Sequence, residues 1–178
     1  MTKFLTILTT GLMAVILANP ATADDNDTPK QPPKASSSVL TDESLGVMLE
    51  QLGFEPKANK TNSGSIFYNV DIEHEGWTLP YIVELSPNKK FVWISISICT
   101  LSEGQQPSAE VLQKLMEEND RNGPAKISFS KQSRKIILAL ALFNHGITAK
   151  VVREQLTYLH GQVQTVSKLC EGLRNGEK

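Results

Sequence analysis

The chain has 178 residues, with 18 Lys and Arg against 19 Asp and Glu, for a formal net charge of −1. A near-neutral balance with no basic stripe and no run of aromatic and Arg residues excludes the electrostatic footprint of a nucleic-acid binder. The sequence also shows no catalytic motif, so it is read first for organisation.

The N-terminus has the pattern of a targeting segment. Lys3 supplies a positive start, Phe4 to Ala18 is apolar and interrupted mainly by threonines, and Ala21-Thr22-Ala23 follows Pro20 as a small-residue cleavage site. The apolar run is short for spanning a bilayer, and no cysteine follows it to carry a lipid. Residues 1–23 are therefore expected to be a signal peptide, leaving no stable membrane anchor and a periplasmic or secreted protein. Residues 24–38, rich in Asp, Asn, Pro, Lys, Gln and Ser without apolar periodicity, read as a disordered leader. About 140 residues remain, enough for one domain with one core. That domain is placed at 39–174, with a tail at 175–178.

Thr41 is a good helix N-cap, and Asp42 and Glu43 favour the first turn. Leu45, Met48, Leu49 and Leu52 form the apolar face, and Gly53 is placed to close the helix with Phe54 folding back. Three alternating segments follow. Ile66, Tyr68, Val70 and Ile72 share one face, as do Leu79, Tyr81, Val83 and Leu85, and Val92, Ile94, Ile96 and Ile98. Turn residues between them predict an antiparallel meander. Pro80, which has no N–H to donate, predicts an edge or a bulge at its position. Ser108 caps a second helix with Val111, Leu112, Leu115 and Met116 on its apolar side, stopped by Asn119-Asp120-Arg121-Asn122-Gly123-Pro124.

The stretch from Arg134 to Leu173 organises the rest. After a short strand at Ala125 to Phe129, the run Arg134 to Phe143 is apolar at every position from Ile136. Ile136, Leu138, Leu140 and Leu142 point one way, and Ile137, Ala139, Ala141 and Phe143 the other. Such a strand lies in a sheet covered on both sides, or meets a partner on its second side. The helix opening at Thr148 carries Val152, Leu156, Leu159, Val163, Val166, Cys170 and Leu173 as a single stripe made to lie across a sheet. The expected fold is α+β, an antiparallel five-stranded sheet in the order α-β-β-β-α-β-β-α.

That order, with the Asn119-Asp120 helix end, the strand at Ala125, the Arg134 strand and the helix begun by Gly146-Ile147-Thr148, resembles the YbjN-like family of bacterial proteins over roughly Leu40 to Leu173. The resemblance implies the fold of type III secretion chaperones. It also implies a non-enzymatic protein-binding or regulatory module, often dimeric in the secretion chaperones, with no catalytic residue to carry over. The chain departs from the chaperones by its export signal, since they work in the cytoplasm.

Asp71-Ile-Glu-His-Glu75 is the densest cluster of acid–base or ligand groups. Strand alternation puts Asp71, Glu73 and Glu75 on one face and His74 on the other, which breaks up a convergent ligand set. A solvated strand end accounts for it better, and neither a metal nor a cofactor is expected. His145 falls in a strand-to-helix loop and His160 at the border of the long helix's stripe. Neither has a nucleophile and carboxylate at a recognisable spacing. Cys99 and Cys170, in an exported protein, allow a disulfide. They equally suit two separate small core residues, because Cys99 alternates with Trp93, Ser95 and Ser97, away from the helix stripe.

The stronger functional indication is a surface. Opposite the isoleucines lie Phe67, Pro80, Ile82, Phe91 and Trp93 among polar residues. If every helix covers the isoleucine face, Phe67, Ile82, Phe91 and Trp93 form an exposed patch of the kind that marks an interface. If the second helix folds over them, they are core. The leading expectation is thus an exported protein-binding or chaperone-like module that holds a protein partner or a second copy of itself. The alternative is a small apolar-ligand binder with a pocket between sheet and long helix.

Overall fold

The computed structural model describes residues 39–74 and 76–174. Its elements are α1 (Asp42–Gln51), β1 (Lys57–Lys60), β2 (Ile66–His74), β3 (Trp77–Leu85), β4 (Phe91–Thr100), α2 (Ala109–Arg121), β5 (Lys126–Ser130), β6 (Lys135–Phe143) and α3 (Ala149–Arg174). The six strands form one antiparallel sheet in the order β1-β2-β3-β4-β6-β5. The expected count of five strands is corrected to six, and the element order gains a strand before the meander. The added β1, Lys-Ala-Asn-Lys, shows no apolar alternation because it is a short edge strand held by backbone pairing to β2. Charged residues on such an edge discourage further strand addition.

The alternation in β2 to β4 sets which way each strand faces. Val70, Tyr81, Val83, Val92 and Ile94 have no exposed surface, and Leu138 and Leu140 of β6 are equally buried. All seven point into one layer, where α1 packs on β2 and β3, α3 on β4 and β6, and α2 on β5 and α3. The stripe expected on α3, from Val152 to Leu173, is buried at every position named for it. Pro80 pairs with Asp71 of β2, while the β3–β4 pairing runs only from Tyr81 to Leu85. The proline therefore sits where β3 has lost its second neighbour, and its missing N–H leaves no ladder bond unmade.

Four local devices hold the layers in place. Thr41 and Ser44 form a capping box at α1, and Gly53 ends that helix at φ +87° with its N–H donating to the Glu50 carbonyl at 2.8 Å. Gly46 lets α1 approach β2, since a Cβ there would lie 2.6 Å from Tyr68 Oη, whose hydroxyl donates to the Asp42 carbonyl at 2.8 Å. Asn144, buried after β6, accepts from Leu40 N and donates to the carbonyls of Leu40 and Lys89, each at 2.9 Å. Through that one side chain the start of the domain is bonded to the β3–β4 turn. At the other end of the sheet the Arg134 guanidinium donates to the carbonyls of Leu101, Ser102 and Gln105, fixing the loop that leads to α2.

The strand parity breaks once. Between Ser97 and Cys99 the β4–β6 register shifts, so Ser97 faces Ile137 but Cys99 faces Ile136. The extra residue of a bulge reverses the side on which all later side chains stand. Cys99 therefore faces the helix layer with Ile136, and not the opposite side as alternation alone predicts. Cys99 and Cys170 are both buried on that same side.

Candidate functional site

With the helices on one side, the other side of the sheet is a face that no helix covers among the described residues. Its composition follows from register. Across one rank, Asn59 of β1 pairs with Phe67 of β2, Phe67 with Glu84 of β3, Glu84 with Trp93 of β4, and Trp93 with Ala141 of β6. The adjacent rank runs Lys57, Asn69, Ile82, Ser95, Ala139 and Lys126. Phe91 pairs with Phe143, their rings 4.9 Å apart at a tilt of 40°. Directly paired residues share a face, so the four sequence-derived residues Phe67, Ile82, Phe91 and Trp93 stand together on it.

Exposure marks the same surface. Trp93 keeps 40% of its surface accessible, Ile82 36% and Phe143 75%. The α2 helix lies against α3 and β5 on the other side, so it does not fold over this patch. Phe143 stands on this face with Ile137, Ala139 and Ala141 of β6. Its ring ends β6 on the open side, beside Phe91.

The face is nearly free of charge at its centre. Lys57 is engaged with Asp71 at 3.1 Å at the β1–β2 margin. Lys126, on edge strand β5, donates to the Asn119 carbonyl at 3.1 Å. Between them Glu84 is the only carboxylate on the outward positions of β3, β4 and β6, flanked in its rank by Phe67 and Trp93. It is half-buried, and that desolvation raises its pKa above the ordinary glutamate value.

The other candidate groups are dispersed. Asp71 belongs to the ion pair with Lys57, and Glu73 accepts from Thr78 Oγ1 at 2.9 Å. Glu75 lies outside the described residues. Among the described residues, no group of three or more His, Cys, Asp or Glu side chains converges as a metal site. His145 is exposed in its loop. His160 Nδ1 lies 3.0 Å from the hydroxyl of fully buried Tyr81, whose own pKa is pushed up by burial.

A second apolar area was not foreseen. Leu112 and Met116, expected on the packed side of α2, are 45% and 72% exposed, and Phe129 of β5 is 44% exposed beside them. The helix packs instead through Val111, Leu115, Glu118 and Asn122, a line turned by one position from the expected stripe. Between α2 and β5 this leaves a hollow of ≈ 140 Å³ lined by Leu115, Met116, Asn119, Ile127 and Phe129 among others. A larger space of ≈ 630 Å³ beside Leu112 and Met116 is bounded by α2 alone, and so is a surface and not a cavity. Asn119 pairs by its amide with both backbone groups of Ile127, at 2.5 and 3.0 Å, and occupies that part of the β5 edge.

No family model matches the chain, and no curated protein matches it. Among solved structures it is similar to a chain of the HopA1–SchA chaperone–effector complex, at 8% identity over 70% of this chain and 90% of that one, with a TM-score of 0.47. It is similar to a chain of the heterodimeric ExoU–SpcU complex from the type III secretion system of Pseudomonas aeruginosa, at 11% identity over 71% and 98%, with a TM-score of 0.49. It is also similar to a chain of the ExsC–ExsE complex, at 14% identity over 70% and 89%, with a TM-score of 0.48. No residue is carried over from these chains. The resemblance to a YbjN-like family finds no counterpart in the comparisons. The expected periplasmic or secreted location is corrected. Residues 1–23, on which it rested, lie outside the described residues, so no location is assigned.

Proposed function

We propose that the protein is a non-enzymatic, chaperone-like module that binds another protein through the helix-free face of its sheet. The observation that carries this reading is the exposure of Trp93, Ile82 and Phe143 on one continuous face that also holds Phe67 and Phe91. A soluble domain rarely leaves large apolar side chains contiguous unless something covers them. The groups available for acid–base work, Asp71, Glu73 and His160, are each engaged at separate places, which favours binding over catalysis.

The small-ligand alternative is less well supported. Tyr81, Ile94, Leu138 and Leu140 of the sheet and Leu156 and Leu159 of α3 belong to one core cluster and are each at most 1% exposed, so side chains fill the space between sheet and long helix. The ≈ 140 Å³ hollow at α2 and β5 is well below the roughly 300 Å³ of a typical ligand pocket.

The test is selection of a phage-displayed peptide library on the wild-type protein and on Trp93→Glu. Peptide families that bind the wild type and are lost on a folded Trp93→Glu variant are expected. Families that bind both equally, or no family at all, would remove this face as the binding site. Light scattering on the same two samples separates a peptide-binding face from one that pairs copies of the chain.

A further inference from the structure

The proposed binding face has one chemical feature that its own chain leaves unanswered. Glu84 stands in the middle of the apolar rank, directly paired with Phe67 on one side and Trp93 on the other. Directly opposed side chains in an antiparallel pair have Cβ atoms about 4.5–5.5 Å apart, so both rings border the carboxylate. Among the described residues no side chain makes an ion pair or a hydrogen bond with it. The basic residues of this face stand at its margins. Lys57 is engaged with Asp71, Lys126 bonds the Asn119 carbonyl, and Lys135 lies at the far end of β6, about 20 Å along the strand from the Glu84 rank. Half-burial without a counter-charge disfavours the ionised form, as the direction of its pKa shift indicates.

A carboxylate between two aromatic rings on an otherwise apolar surface is complementary to a cation. The carboxylate supplies the charge and hydrogen-bond acceptors, and a ring face adds cation–π attraction. Building on the binding face inferred above, we propose that its partner is a protein segment presenting one arginine or lysine among apolar side chains, with Glu84 as the counter-charge and Phe67 and Trp93 flanking the cation. A second copy of this chain fits the site less well. It brings apolar residues and a further carboxylate to the centre, while its own basic residues on this face remain at the edges.

The peptide library serves here with Glu84→Gln, which keeps shape and removes charge. The wild type is expected to enrich peptides with an arginine or lysine flanked by apolar residues. A synthetic copy of one such peptide should bind Glu84→Gln roughly tenfold to a hundredfold more weakly, the loss typical of a charge-assisted bond. Equal enrichment of basic peptides on Glu84→Gln overturns the proposal. Apolar peptides without a basic residue, lost on Trp93→Glu but not on Glu84→Gln, overturn it while leaving the binding face intact. If neither variant changes the selected set, the face itself fails and the inference falls with it.

Discussion

The two faces of this sheet are built from the same strands and alternate residue by residue, yet they are buried very differently. Along β4, Val92, Ile94 and Ile96 are 0–2% exposed beneath α3, while their neighbour Trp93 is 40% exposed. Along β6, Leu138 and Leu140 are sealed, while Phe143 ends the strand with three-quarters of its surface open. Apolar character alone therefore does not distinguish core from surface here. Coverage does, and coverage is decided by where three helices come to lie. The helical side fits a close-packed interior, whereas the open side keeps large apolar groups where only a partner would bury them.

The contrast is tested most strongly from the inside. Leu140→Ala removes a side chain 1% exposed between α3 and the sheet, and is expected to cost about 2–5 kcal/mol in urea unfolding. A loss below about 1 kcal/mol would mean that the packed side is looser than the burial implies.

A smaller effect is expected on the open side. Burial raises the Glu84 pKa in the folded protein. The native state therefore binds more protons than the unfolded chain between the two pKa values, and stability falls as pH rises through that window. Glu84→Gln removes this penalty. Its melting temperature should slightly exceed the wild-type value at pH 7 and converge with it below about pH 4, under the unfolded-state pKa of glutamate. A lower melting temperature at pH 7 would show that the carboxylate is paired in the free protein.

How much of this was legible in the sequence depends on the kind of signal. Where side chains repeat with the period of the backbone, the reading held. The middles of the inward sets of β2, β3 and β4 and the whole α3 stripe are buried as their spacing implies, while Ile66, Ile72 and Leu79 at the strand ends are part-buried. Where structure comes from backbone pairing, it did not. In β1, Lys-Ala-Asn-Lys carries no period, and its strand exists because β2 offers it a free edge. The bulge at Ser97–Cys99 is similarly silent, and it moves Cys99 to the side opposite the one alternation assigns. In α2 the expected apolar side was Val111, Leu112, Leu115 and Met116, but the helix buried a line containing Leu115, Glu118 and Asn122 while leaving Leu112 and Met116 outside. For the candidate site, the parity of Phe67, Ile82, Phe91 and Trp93 was readable because each lies in a regular strand. That no helix crosses them was not, because helix placement is a property of the connections. The isolation of Glu84 between two aromatics required the cross-strand register, which no single strand contains.

The central claim is that Trp93 is surface and not core. Equilibrium urea unfolding of Trp93→Glu beside the wild type tests it directly. The account predicts a free energy of unfolding within about 0.5 kcal/mol of the wild type, the range of ordinary surface substitutions. A loss of more than about 3 kcal/mol, as expected for an uncompensated charge forced into an interior, would contradict it and return the open face to the core.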